Sequence, residues 1–228
     1  MFSIRLLPAL GVALMTLFTT AATHADDAGS LRSPEWAQPV GNQFNLHQMT
    51  PTLYRSALPN SSAVPVLENL KIATVINFLP ESDSDWLKSS DIKQVQLIYR
   101  TNHVDDSDVL AALRAIQDAQ ANGAVLMHCK HGSDRTGLIA AMYRVVVQGW
   151  SKEDALNEMT LGGFGSSNGF KDGVRYMMKA DTDKLRTALA NGDCSTSAFA
   201  LCSMNSWLNT ASSRRVEPKQ DTEVVLTP

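Results

Sequence analysis

The sequence predicts an α/β fold, a central and mainly parallel sheet with helices on both faces. Three observations carry this expectation. The run Ile72–Leu79 is almost continuously apolar and rich in β-branched residues, as in a strand buried on both sides. A second apolar run, Ala124–Met127, feeds a glycine-containing loop and then a helix-like run from Leu138 to Gln148. Segments with helical spacing lie between and after these strands, and such alternation favours a parallel sheet.

Taken in order, Leu53–Ser56 reads as a short strand closed by Pro59-Asn60, and Ser62–Asn69 as a brief helix. The Ile72–Leu79 strand follows, then a further candidate strand at Val95–Tyr99. From Asp108 to Ala121, apolar Val109, Leu110, Leu113 and Ile116 recur at helical spacing, and Asn122-Gly123 is a stop signal. Ser151 with Asp154 caps a helix running to about Leu161, which Gly162-Gly163-Phe164-Gly165 breaks. One more helix is expected over Val174–Ala190, ending near Asn191-Gly192.

At the N-terminus, Arg5, the apolar Leu6–Phe18 stretch and the small residues after it read as a secretory signal peptide over 1–25. The apolar stretch is short for a membrane span, so no stable membrane insertion is expected after cleavage. Residues 26–35 read as a flexible exit, 36–211 as the folded domain with a C-terminal extension, and 212–228 as a loose polar tail. The whole chain carries a formal charge of −3. No basic run or basic–aromatic stripe occurs, which argues against nucleic acid as a partner. An exported chain with three cysteines leaves one unpaired. Cys194 and Cys202 can close a short disulfide loop in an oxidising compartment, leaving Cys129 as a free thiol. Histidines and cysteines show no ligand spacing with carboxylates and no cofactor fingerprint is present, so neither metal nor cofactor is expected.

Chemistry concentrates in His128-Cys129-Lys130-His131-Gly132-Ser133-Asp134-Arg135-Thr136-Gly137. A strand turning through such a loop into a helix directs several backbone N–H groups into one bowl, and the helix N-terminus adds partial positive charge. The bowl suits a tetrahedral oxyanion. The same groups and Arg135 favour thiolate over thiol at Cys129, making it a nucleophile near neutral pH. Arg135 can hold two phosphoryl oxygens with its planar fork. Thr136 can hydrogen-bond the Cys129 sulfur and help it leave. His128 is expected to point away from ligand and fix the loop through a bond from its ring to backbone, with Gly137 supporting the loop. Lys130 and His131 lie on the rim, while Ser133 and Asp134 complete the loop. An acid beside an anion site opposes binding, so Asp134 is expected to turn outward.

His128, Cys129, Gly132, Arg135, Thr136 and Gly137 resemble, position by position, the signature loop of cysteine-dependent protein tyrosine phosphatases, dual-specificity branch. Leu53-Tyr54-Arg55-Ser56-Ala57-Leu58-Pro59 is similar to that family's opening strand and turn. The resemblance runs from about Trp36 to Trp207 and is strongest to a secreted bacterial subgroup linked to biofilm control. It implies a dual-specificity-phosphatase-like fold and metal-independent hydrolysis of phosphate monoesters through a phosphocysteine, phosphotyrosine being preferred. It also implies a periplasmic location and a phosphorylated protein substrate, for which the periplasmic part of an inner-membrane signalling protein is the candidate. Lipid and inositol phosphate phosphatases also carry a lysine after the cysteine, so that class is the alternative, along with a phosphate-binding pseudo-phosphatase. The family places a general acid on a loop, here Arg100–Asp108. Alignment with the subgroup puts Asn102 at the acid position, and Asn102 cannot transfer a proton. Asp105 is the first candidate for the role, Asp106 the second and His103 a minor one; both aspartates also suit the start of the following helix.

Overall fold

The computed structural model describes residues 32–88, 90–165, 170–200 and 202. The expected signal peptide, most of the 26–35 segment and the 212–228 tail lie outside them.

Six strands form one sheet in the order β1-β2-β3-β6-β4-β5. They are β1 (Gln38–Pro39), β2 (His47–Thr50), β3 (Leu53–Ser56), β4 (Ile72–Asn77), β5 (Lys93–Gln96) and β6 (Ala124–His128). The β3–β6, β6–β4 and β4–β5 ladders are parallel, while β1–β2 and β2–β3 are antiparallel. Among the described residues seven α-helices accompany the sheet: α1 (Val64–Asn69), α2 (Ser84–Leu87), α3 (Asp106–Gln120), α4 (Arg135–Val146), α5 (Lys152–Leu161), α6 (Phe170–Lys179) and α7 (Thr182–Asn191). Short 3-10 turns occupy Ser61–Ala63 and Thr101–His103. No helix among the described residues is long and apolar enough to cross a membrane.

Strand alternation divides the interior between the two faces of the sheet. Val125 and Met127 of β6 join Ile76, Leu53 and the apolar residues of α3, α4 and α7 in the larger cluster. Ala124 and Leu126 join Val75, Ile72 and Tyr54 with Val64 and Leu67 of α1 and Leu87 of α2 in the smaller one. Period-2 side-chain direction in a strand buried on both faces requires this partition.

Helix α4 is buried from Thr136 to Val146 and packs against α3, α5, α6 and α7. A helix apolar all round belongs in the centre of a domain. Its one deep charge, Arg144, is neutralised by Glu158 of α5 through a bidentate pair at 2.7 and 2.8 Å. The Arg144 guanidinium also lies 4.2 Å over the Trp150 ring.

Three expectations need correction. The run Val174–Ala190 is not one helix. Asp181 adopts extended backbone and its side chain accepts from the Lys184 N–H, so a cap inside the periodic run starts α7 anew. The strand expected over Val95–Tyr99 is Lys93–Gln96, because the chain leaves the sheet to bring Tyr99 against Arg135. The helix expected from Leu138 begins at Arg135, placing that arginine in the first turn. The edge strands β1 and β2, too short for a periodic signal, were not anticipated.

Candidate active site

Strand β6 lies at the sheet centre with β3 and β4 on either side, Ser56 and Asn77 both in register with His128. Cys129 therefore leaves the sheet between the carboxyl ends of two parallel neighbours, where open α/β sheets form their clefts. It is 2 % exposed and is the free cysteine among the described residues. Cys194 and Cys202 are joined by a disulfide, with a Cα–Cα distance of 6.1 Å.

Between Cys129 and α4 the loop carbonyls are held from outside. Lys130 O accepts from the Leu58 N–H at 3.3 Å, His131 O from Asn45 Nδ2 at 3.1 Å and Gly132 O from Arg55 Nη2 at 2.7 Å. Further along, Asp134 O accepts from the Leu138 N–H at 2.8 Å and Arg135 O from the Tyr99 hydroxyl at 2.6 Å. In a planar trans peptide the N–H points away from the C=O of the same unit. With the carbonyls of Lys130, His131 and Gly132 turned out, the N–H groups of His131, Gly132 and Ser133 turn inward. The first N–H groups of α4 join them, because a helix N-terminus has no internal partner for these donors. The result is an anion cradle with Cys129 at its start and Arg135 at its end.

Gly132 is required here. Its φ is +78°, and a Cβ would stand 2.7 Å from Ala57 N and from Ser56 C. Arg135 donates from Nε to Tyr99 O at 3.0 Å, which leaves its two terminal nitrogens for a ligand. Lys130 and His131 are exposed on the rim, and Ser133 is buried.

His128 is fully buried and aims away from the cradle, but not at backbone as expected. Nε2 pairs with Asp83 Oδ2 at 2.8 Å, and Asp83 Oδ1 accepts from Trp86 Nε1 at 2.9 Å. Asp83 lies in a polar stretch that reads as a plain loop, and only the fold reveals that it is buried. The Thr136 hydroxyl is buried without a hydrogen-bond partner, so it is not bonded to the Cys129 sulfur in this state. Asp134 is half-buried rather than turned to solvent, and its negative charge reaches Tyr99. Burial above all, then the charge on Cys129, pushes the Tyr99 phenol well above its ordinary pKa, with Asp108 and Asp134 adding to the rise and Arg135 opposing it.

The acid-loop candidates take separate duties. Asp105 caps α3: its Oδ1 accepts from the Ser107 N–H at 2.8 Å, the Asp108 N–H at 3.1 Å and the Ser107 hydroxyl at 2.6 Å. The Asp108 carboxylate returns the bond by accepting from the Asp105 N–H at 3.2 Å. Asp106 is engaged at both oxygens, Oδ1 by the Tyr176 hydroxyl at 2.7 Å and Oδ2 by the Thr196 hydroxyl. Asn102 and His103 are exposed in the 3-10 turn.

Arg55, Asp83, Tyr99 and Asn45 are the site residues that sequence reasoning missed as such. The one available signal was Arg55, a charge in the middle of the short apolar strand β3.

A cysteine and an arginine at the two ends of an N–H cradle, carried between the central strand and the central helix, define a cysteine-dependent phosphatase. The profile of the tyrosine phosphatase family matches residues 42–194, and the chain belongs to that family, a cysteine-based hydrolase of phosphate esters. The dual specificity protein phosphatase TpbA of Pseudomonas aeruginosa (strain UCBPP-PA14) is 50 % identical over 191 residues, covering 84 % of this chain and 88 % of that protein. A crystal structure of P. aeruginosa TpbA in complex with pTyr superposes with a TM-score of 0.69 at 50 % identity, covering 71 % of this chain and 99 % of the other. More distantly, an inositol diphosphatase of Oryza sativa subsp. japonica is 26 % identical over 151 residues, 62 % of this chain and 66 % of that protein.

Proposed function

We propose that this protein is an exported dual-specificity protein phosphatase that prefers phosphotyrosine and acts through a phosphocysteine on Cys129. The observation that carries the reading is the outward pinning of the loop carbonyls, which turns the loop N–H groups into one anion-sized cradle between Cys129 and Arg135.

In the first step the Cys129 thiolate attacks phosphorus in line, forming the S–P bond as the bond to the leaving oxygen breaks. The inward N–H groups and Arg135 hold the equatorial oxygens, and they hold them better as charge spreads in the transition state. In the second step water attacks phosphorus and the sulfur leaves as thiolate. The buried, unpartnered Thr136 hydroxyl is placed one residue past Arg135 to donate to that sulfur as its charge develops. Asp105 is the candidate acid for the first step and base for the second, because its cap bonds all fall on Oδ1 and leave Oδ2 for a proton. Asp106 has no such oxygen to spare.

Residues 1–25 act in this reading as the export signal, delivering a 36–211 phosphatase domain to the periplasm, and the cystine at Cys194–Cys202 accords with an oxidising compartment. The pTyr complex of TpbA supports phosphotyrosine as substrate, here on a protein such as the periplasmic part of an inner-membrane signalling protein. A second reading, hydrolysis of inositol phosphates, is favoured by Lys130 on the rim and by the inositol diphosphatase relatives. One assay separates them: the domain from residue 26 onward, given phosphotyrosine, phosphoserine and inositol phosphates without added metal. Phosphotyrosine turnover exceeding the others supports the proposal, and preference for inositol phosphates overturns it.

A further inference from the structure

Asn45 lies half-buried in the turn that joins β1 to β2, and the two steps above make no use of its side chain. Phe44 and Asn45 are consecutive residues in the left-handed region, with φ of +38° and +54°. Asparagine tolerates that region, whereas a bulky residue such as phenylalanine is strained in it. The turn is fixed from several sides. Phe44 O accepts from the Ala57 N–H at 2.9 Å, and the Leu46 N–H donates to Gln43 O at 3.0 Å. Asn45 O accepts from His47 Nδ1 at 3.0 Å, and the Phe44 side chain packs against the smaller core cluster.

An asparagine in a turn ordinarily bonds its own backbone two residues on. Here the amide reaches 86 and 119 positions along the chain instead. Nδ2 donates to His131 O at 3.1 Å and to Phe164 O at 2.7 Å, so both of its N–H bonds are committed to carbonyls. The second tie anchors the first. Phe164 is 1 % exposed, with the His47 ring edge-on at 4.8 Å and the Arg55 guanidinium 3.6 Å from its centroid. A serine has one O–H to give and an aspartate none, so asparagine meets both the left-handed backbone and the need for two donors.

The peptide unit between His131 and Gly132 has particular need of such a tie. Turning it over changes ψ at His131 and φ at Gly132, and glycine accepts either sign of φ. Gly132, at φ +78°, therefore permits the curve of the loop and also its undoing. Turned over, the unit would point His131 O into the cradle and the Gly132 N–H out of it, replacing a donor to the anion by a repelling carbonyl. The units on either side have other holds, Lys130 O on the Leu58 N–H and Gly132 O on buried Arg55.

We propose that Asn45 is a positioning residue, a clip from the β1–β2 turn that keeps His131 O out of the cradle and so keeps the Gly132 N–H aimed at the phosphoryl oxygens. The proposal rests on reading the loop as a phosphate cradle.

The test is tungstate binding by calorimetry, which needs no turnover, with melting temperature and kcat/KM on an aryl phosphate measured beside it. Wild type, Asn45→Gly and Asn45→Ala are compared. Asn45→Gly removes the clip but suits the left-handed backbone, so it should stay folded and melt above Asn45→Ala. It should bind tungstate about tenfold or more weakly than wild type, the worth of one hydrogen bond to a charged group. Its kcat/KM should fall by a similar factor, since the same N–H serves the transition state. Asn45→Ala should lose the same affinity. Wild-type affinity in Asn45→Gly would overturn the proposal, and if Asn45→Ala alone weakened, the residue would be a turn former acting through its backbone. Failure of Asn45→Gly to fold would overturn it too, because the two bonds would then hold the fold rather than the loop. A wild type that binds no tungstate would bring down the cradle reading itself, and this proposal with it.

Discussion

Tyr99 and Arg135 hold each other through two hydrogen bonds, the Tyr99 hydroxyl donating to Arg135 O at 2.6 Å and Arg135 Nε donating to Tyr99 O at 3.0 Å. The pair joins the segment that leads into the acid loop to the first turn of α4. In the proposed mechanism this would aim Arg135 before any ligand arrives and cut the ordering cost at the transition state. Tyr99→Phe removes one bond and leaves the Arg135 carbonyl without that partner. We expect a stability loss of about 1–3 kcal/mol in urea titrations. We also expect kcat to fall about tenfold or more as the guanidinium loses its fixed direction. Unchanged kcat would mean that the phosphate orients Arg135 unaided.

Cys129→Ser should abolish hydrolysis of aryl phosphates, and a chelator should leave the wild-type rate unchanged. Arg135→Lys keeps the charge but cannot make the bidentate contact, so kcat/KM should drop by more than about tenfold. Peroxide should inactivate the enzyme reversibly, with vanadate protecting, because the thiolate is the form oxidised first and peroxide is small enough to follow the phosphate into the cradle. Turnover by Cys129→Ser, or equal oxidation with and without vanadate, would contradict the role given to this thiol.

Gly132→Ala would press a Cβ against the backbone of Ser56 and Ala57, which cannot swing aside as a side chain can, and would do so at a positive φ. Together these effects should cost about 2–5 kcal/mol of stability and flatten the cradle, with activity falling further than stability alone explains. Thermal unfolding followed beside the kinetics of the folded fraction checks both parts.

The parts of this fold that could be read in the sequence are those set by local chemistry. The β4 run, the Ala124–Met127 strand, the Asn122-Gly123 stop after α3 and the Ser151–Asp154 cap each declare themselves within a few residues. What escaped reading depends on partners far away in the chain. All four residues of β3 are buried, so alternation does not say which way Arg55 faces; its charge in a short strand is a signal, but the partners Gly132 and Phe164 appear only in the fold. Asp83 stands in Glu81-Ser82-Asp83-Ser84-Asp85, which is polar enough to be a surface loop, until His128 and Trp86 draw it inside. Asp181 interrupts a run whose apolar period continues across it, and capping prevailed over period.

Histidine burial predicts a pH dependence of stability. Desolvation pulls the His47 pKa below its ordinary 6.5; the hydrogen bond to Asn45 O opposes this, Arg55 and Arg32 add to the drop, and Glu158 opposes it. On acidification the unfolded chain takes the proton first, so stability is present above pH 6.5 and is lost as pH falls through the lower folded value. In urea titrations at several pH values between 7.5 and 5, His47→Gln should show a smaller decline than wild type. An identical decline in both would show that other groups govern acid sensitivity.

The acid loop provides the sharpest test of mechanism. If Asp105 protonates the leaving oxygen through Oδ2, then Asp105→Asn should slow phosphotyrosine far more than an activated aryl phosphate, whose better leaving group needs no proton. The alkaline limb of the pH–rate profile should change as well. The cap would largely survive, because asparagine keeps an oxygen at that position and caps nearly as well. Asp106→Asn should act differently: it weakens the links to Tyr176 and Thr196, costing about 1 kcal/mol or more of stability without selecting between substrates. If neither variant discriminates by leaving group, the reaction proceeds without a carboxylic acid, and phosphotyrosine must then be strongly preferred, since a phenol of pKa about 10 departs as an anion far more readily than the alcohol of serine or threonine. Equal turnover of phosphotyrosine and phosphoserine by both variants would contradict every form of this account.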